Sequence, residues 1–136
     1  MQSPMIGASL DPAESGSEID IMECFEYGKL HTHNVFTGGY GLDMQRFFAG
    51  GQDIDTEEFH TFGVLWTEDR YVFYVDGVED GVIEDAVSGV PAFILISTEP
   101  MGYRHETHRP TEEAKAAAAA GDNFLVDYVR VFDIKG

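Results

Sequence analysis

The sequence predicts an all-β domain built as an antiparallel β-sandwich or jelly roll, on three observations. Segments rich in β-branched and aromatic residues recur along the chain, turn residues punctuate them at short intervals, and one stretch spells out a hairpin. The first segment, Ser17 to Phe25 (SEIDIMECF), alternates polar and apolar residues as a half-buried strand does. Leu30 to Thr37, Phe59 to Trp66, Tyr71 to Val75, Ala92 to Thr98 and Phe124 to Ile134 follow as further strands. Between them lie Gly38-Gly39, Gly50-Gly51, Glu68-Asp69, Asp76-Gly77 and Gly89. Trp66 to Gly77 reads as a strand end, a turn and a strand stopped by Asp-Gly, a β-hairpin followed by another turn. Gly41 to Gly51 fits either a cleft loop or a packing strand. One segment breaks the β pattern. Thr111 to Gly121 has a capping threonine after Pro110, acids in the first turn, a run of alanines and a terminal glycine, the marks of a short exposed helix.

With 136 residues the chain is one domain at most. It carries 25 acidic against 8 basic side chains, a formal charge of -17, yet 43% of its residues are hydrophobic and 12% aromatic, so the charge must coat something that packs. Nucleic acid and anionic membrane are thereby disfavoured as partners. Lysine occurs only at Lys29, Lys115 and Lys135, and such an acid-coated surface suits either a protein working in high salt or ordinary solubility. The single cysteine, Cys24, excludes an intrachain disulfide framework and any multi-cysteine metal site. No stretch reaches the roughly 18 apolar residues of a membrane span. Met1-Gln-Ser-Pro has no basic or apolar leader character, so the chain taken as complete would be intracellular.

Chemistry concentrates in Glu18-Ile-Asp20-Ile-Met-Glu23. Spacing alone proves nothing: with acids at 25 of 136 positions, three at i, i+2, i+5 arise by chance about 0.8 times. A second such triplet, Asp53, Asp55 and Glu58, follows two glycines and reads as a solvated turn. In the first, every gap position is a large apolar residue. On a regular strand Glu18 and Asp20 share a face, but strict alternation turns Glu23 into the core, a costly place for a carboxylate. A β-bulge at Ile21-Met22 flips the phase and returns Glu23 to the face of the other two. The two glutamate Cα atoms then stand roughly 12 Å apart. Side chains leaning together close the carboxyl gap to about 5 to 6 Å, as double displacement at an anomeric carbon needs. Clustered carboxylates also push their pKa values apart, so that one stays protonated while another is ionised.

The Glu18–Glu23 segment EIDIME resembles the active-site strand of glycoside hydrolase family 16, retaining endo-glycosidases with a concanavalin A-like jelly roll. Phe59 to Gly77 is similar to the hairpin that follows that strand in the family, and Phe124 to Phe132 resembles its last strand. The resemblance implies that Glu18 is the nucleophile, Glu23 the general acid/base, and Asp20 the acid that tunes the pair. The bulged spacing resembles that of laminarinases, agarases and carrageenases, whereas lichenases and xyloglucan enzymes lack the extra residue; β-1,3-glucan is the substrate it implies, with agarose or carrageenan as the alternative. No cofactor is required for that catalysis.

Leu30 to Gly39 resembles the strand beside the catalytic one, which implies substrate contact by His33 or Asn34; His31 and His33 share a face and Asn34 takes the other. A histidine pair at i, i+2 suits a metal, but no third ligand lies close in sequence. Glu99 ends a strand that crosses the cleft in the family, and Trp66 is either core or a platform for sugar. Asp127 stands where some relatives place a structural calcium ligand. The resemblance further implies that residues 1–136 are the C-terminal portion of a single catalytic domain that is secreted, truncated at its N-terminus, with the missing strands lying upstream or supplied by self-association. A non-catalytic sugar-binding remnant of the family is the rival reading.

Overall fold

The computed structural model describes residues 1–24, 31–38, 43–55, 57–98, 110–121 and 123–134. The chain divides into two compact units, Met1–Leu95 and Ile96–Gly136. Among its described residues the first is all-β apart from one helical turn, α1 (Pro12–Ser15). It holds two three-stranded antiparallel sheets. In one, β1 (Glu18–Cys24), β2 (His31–Thr37) and β3 (Gln45–Gln52) lie in that order; in the other, β4 (Phe62–Trp66), β5 (Tyr71–Val75) and β6 (Val78–Ile83) do. The second unit contributes α2 (Glu112–Ala120).

The hairpins form where the turn chemistry demands. At the end of β4, Thr67 N–H donates to the Arg70 carbonyl at 2.9 Å, closing the turn into β5. Asp76 (φ 52°) and Gly77 (φ 79°) both adopt left-handed backbone between paired Val75 and Val78, the two-residue turn whose twist matches its strands. The Asp76 carboxylate then accepts from the Thr61 N–H and from His60 Nδ1, both at 2.8 Å, tying the turn to the approach of β4.

Ile19, Val35 and Ala49 from the first sheet meet Tyr71, Phe73 and Ile83 from the second in one buried cluster, which makes the two sheets a sandwich. The buried Tyr71 hydroxyl accepts from the Ser88 N–H at 2.6 Å, so its polar atom is satisfied inside the apolar layer. Trp66 packs against this cluster with its ring 5.8 Å from that of Tyr71. It is therefore a packing residue of the second sheet, the first of the two roles open to it, and not a sugar platform.

Helix α2 forms as expected: Thr111 Oγ1 accepts from the Ala114 N–H at 3.1 Å, Gly121 closes the helix in the left-handed region, and no residue of it is buried. Two expected strands do not form. Of Ala92 to Thr98 only Phe93 pairs, in a single bridge to Gln2, and residues 123–134 carry no strand and are exposed. The reason is that β-propensity describes side chains suited to a pleated surface, while a strand exists only where a neighbouring backbone completes its ladder. Two strands form in their place. β6 follows from the tight turn at Asp76-Gly77, and Gly41 to Gly51, left open between loop and strand, supplies most of β3.

Candidate active site

Strand β1 pairs with β2 through Glu18↔Phe36, Ile19↔Val35, Asp20↔Asn34 and Glu23↔Thr32, and the register shifts between Asp20 and Glu23. Two residues, Ile21 and Met22, thus oppose His33 alone. The partners of the three acids, Phe36, Asn34 and Thr32, alternate along β2 and so share one face of it. Glu18, Asp20 and Glu23 therefore share that face too, and the bulge sits where the sequence requires it. Ile19 and Val35, paired on the opposite face, are both completely buried in the core.

The third strand extends the same face. Phe36↔Arg46 and Asn34↔Phe48 pair across β2 and β3, so Arg46 and Phe48 stand in line with the acids. A hydrogen-bonded chain runs through them. Arg46 Nε and Nη2 donate to Asn34 Oδ1 at 2.9 and 2.7 Å, and Asn34 Nδ2 donates to Glu23 Oε2 at 2.6 Å and to Thr32 Oγ1 at 3.1 Å. The Arg46 guanidinium lies over the Phe36 and Phe48 rings, 5.4 and 5.5 Å from their centroids. Asn34 is fully buried, so Glu23 is oriented by a side chain that has no freedom of its own.

Asp20 lies between the two glutamates, and its Oδ2 is buried without a hydrogen-bond partner among the described residues. Burial, with the charges of Glu23 and Glu18 added, pushes its pKa up to about 7. Near neutrality Asp20 is thus divided between its acid and carboxylate forms, and it can supply a proton to a neighbouring oxygen. A carboxyl poised in this way beside two others is what acid-base chemistry at a sugar acetal uses.

Of the residues expected to contact substrate, Asn34 faces the acids and His33 does not. His33 is completely buried on the opposite face of β2, stacked on Phe73 with centroids 4.6 Å apart, which corrects its expected substrate contact. The cause is register: Asp20 pairs with Asn34, so alternation turns His33 into the sandwich. Glu99 lies outside the described residues. Asp127 lies in the exposed 123–134 segment, and among the described residues no group of three or more ligating side chains includes it.

The group that does form is His31, His33 and Asp80. His31 Nε2 and His33 Nε2 stand 3.3 and 3.1 Å from Asp80 Oδ2. Burial holds the His33 imidazole below its ordinary pKa. Burial also works to raise the Asp80 carboxyl, but the Gly51 N–H and the facing histidines outweigh it and leave its pKa low. The third ligand absent near the pair in sequence is supplied by the opposite sheet. Sequence reasoning also missed Arg46, Phe36 and Phe48. Their signal was alternation: Asn34 with Phe36, and Arg46 with Phe48, each occupy every second position of one strand.

The family model described as glycosyl hydrolases family 16 matches residues 4–119. Among curated proteins, a xyloglucan endotransglucosylase protein 7 of Diospyros kaki is 47% identical over 47 residues, 35% of this chain and 16% of that protein. A putative xyloglucan endotransglucosylase/hydrolase protein 13 of Arabidopsis thaliana is 45% identical over 49 residues, 36% of this chain and 16% of that protein. The matched stretch thus spans about a sixth of the length of these relatives. No solved structure matches the chain.

Proposed function

Because the chain belongs to glycosyl hydrolases family 16, we propose that it acts on a β-linked polysaccharide as a retaining endo-glycosidase, with β-1,3-glucan as its substrate. The observation that carries this is the placement of Glu18, Asp20 and Glu23 on one face of a bulged strand, with Glu23 held by Asn34. In the first step the Glu18 carboxylate attacks the anomeric carbon while Glu23 gives its proton to the departing glycosidic oxygen, leaving a glycosyl ester on Glu18. In the second, Glu23, now a carboxylate, takes a proton from water; the water oxygen bonds to the anomeric carbon and Glu18 departs. Asp20 shares its proton with the pair, and the exposed Phe48 ring beside Arg46 offers an apolar face to a pyranose ring. The substrate is an extracellular polymer, so the proposal places the protein's work outside the cell.

A second reading is favoured by the xyloglucan endotransglucosylase relatives: xyloglucan as substrate, with the glycosyl ester intercepted by a sugar hydroxyl instead of water. The choice of substrate follows from the bulge in the first reading and from the relatives in the second. Incubating the chain with laminarin, xyloglucan, agarose and carrageenan, each with and without a labelled acceptor oligosaccharide, separates the two. New reducing ends from laminarin support the first, and labelled transfer products from xyloglucan the second. Glu18→Gln and Glu23→Gln are each expected to lower turnover by about 10² to 10⁴-fold. No product from any polymer, with Glu18→Gln indistinguishable from wild type, would sink both. An oligosaccharide that raises the melting temperature without being cleaved would instead identify a binding module.

A further inference from the structure

We propose that His31, His33 and Asp80 form a site for one divalent transition-metal ion of the zinc class, which ties the two sheets of the sandwich together. The histidines project from the interior face of β2, and Asp80 comes from β6 in the opposite sheet. Each imidazole is fixed through its other nitrogen: His31 Nδ1 stands 2.8 Å from the Gln52 carbonyl oxygen, and His33 Nδ1 2.6 Å from that of Ile21. A carbonyl only accepts, so both Nδ1 atoms carry hydrogen, and in the neutral rings both Nε2 atoms present lone pairs. Those lone pairs face a carboxylate oxygen, which also only accepts. Both Nε2 atoms are buried, and among the described residues neither has a hydrogen-bond donor. Three acceptor atoms converging between the two sheets call for a cation at their centre.

The geometry suits a metal. The three ligand atoms lie within 4.8 Å of one another, and the two nitrogen-to-oxygen separations, 3.3 and 3.1 Å, match the edge of about 3.3 Å of a tetrahedron with bonds near 2.05 Å. Each ligand is braced by a contact of its own, as metal ligands are. His33 stacks on Phe73, and His31 meets the Phe62 ring edge-on at 5.5 Å. Asp80 Oδ1 accepts from Gln52 Nε2 at 2.8 Å, and Oδ2 from the Gly51 N–H at 3.2 Å. Gly50, at φ 64°, leaves the room: a Cβ there would sit 2.7 Å from His33 Cδ2 and collide with the Asp80 carboxylate. Two nitrogens and one oxygen suit zinc and its transition-metal neighbours, whereas calcium and magnesium prefer oxygen alone. The competing cation is the proton. One proton makes a single imidazolium–carboxylate pair and leaves the other Nε2 lone pair facing an acceptor, and a second proton leaves two imidazolium rings around one carboxylate.

The test uses the whole chain, stripped with a chelator and then titrated with zinc chloride, read by calorimetric stoichiometry and by melting temperature. Neither readout depends on glycosidase activity. The expected result is one zinc per chain and a melting temperature raised by about 10 °C at a hundredfold excess over Kd, with magnesium chloride giving no shift. Asp80→Asn keeps the shape of the side chain and gives the neutral histidines an amide donor. That variant is expected to melt at or above the metal-free wild type and to take up no zinc. Failure of the wild type to bind zinc overturns the site, as does equal zinc uptake by Asp80→Asn. A variant that melts lower, with neither protein binding zinc, assigns the cluster to protons and overturns it too.

Discussion

Asp20 is the residue through which pH acts on the acidic face. Its folded pKa of about 7 stands above its ordinary value of 3.8, chiefly through burial, so the folded protein favours the neutral acid. The stability this contributes is fully present below about pH 4 and is lost as pH rises through about 7. Asp20→Asn removes the ionisation but keeps the volume. Chemical denaturation at pH 4, 5.5, 7 and 8 is expected to show the wild type losing stability relative to Asp20→Asn across that interval. Parallel curves for the two proteins would mean that Asp20 ionises without cost. In the proposed enzyme the same group predicts an alkaline limb near pH 7 in kcat/KM, absent from the residual activity of Asp20→Asn.

The decisive element is the bulged strand β1. Ile21 and Met22 together occupy one ladder position, so deleting Met22 leaves a regular strand in which Glu18, Asp20 and Glu23 still oppose Phe36, Asn34 and Thr32. The expected outcome is a folded protein that melts within about 5 °C of wild type, with its acids still aligned. Comparing its laminarin and xyloglucan products with those of wild type then tests whether the bulge sets the substrate. Loss of the near-ultraviolet circular dichroism signal would show that the bulge is needed for the fold itself. β1 was legible because large apolar residues fill every gap between its acids, leaving one phase that keeps all carboxylates out of the core. β3 was not, since Gln45 to Gln52 mixes arginine, phenylalanine and a glycine pair and reaches strand geometry by pairing with β2. The aromatic run from Phe124 had the propensity and found no ladder.

On the scale of the whole molecule, a charge of -17 acts as self-repulsion that added salt removes. Ion pairs such as Lys115 with Glu112, at 2.6 Å, are exposed and offset little of it. The melting temperature is therefore expected to rise by several degrees between 0.05 and 1 M sodium chloride, as the screening length falls from over 10 Å to about 3 Å. The control is an equal osmolality of sucrose. A melting temperature that stays flat or falls with salt would mean that the acids are balanced locally.

Sequence by itself determined the all-β class, the hairpin at Trp66 to Gly77, the helix at Thr111 to Gly121 and the shared face of Glu18, Asp20 and Glu23. Each is a local matter of alternation, turn chemistry or capping, decided within a few residues. Tertiary structure decided what β2 does with its two faces. Both are chemically plausible, Thr32-Asn34-Phe36 on one side and His31-His33-Val35 on the other, and alternation says only that they differ. Pairing with β1 turns the first toward the acids and the second into the sandwich, and only the opposite sheet brings Asp80 to the histidines. That contact joins positions far apart in the chain, and no local pattern records it.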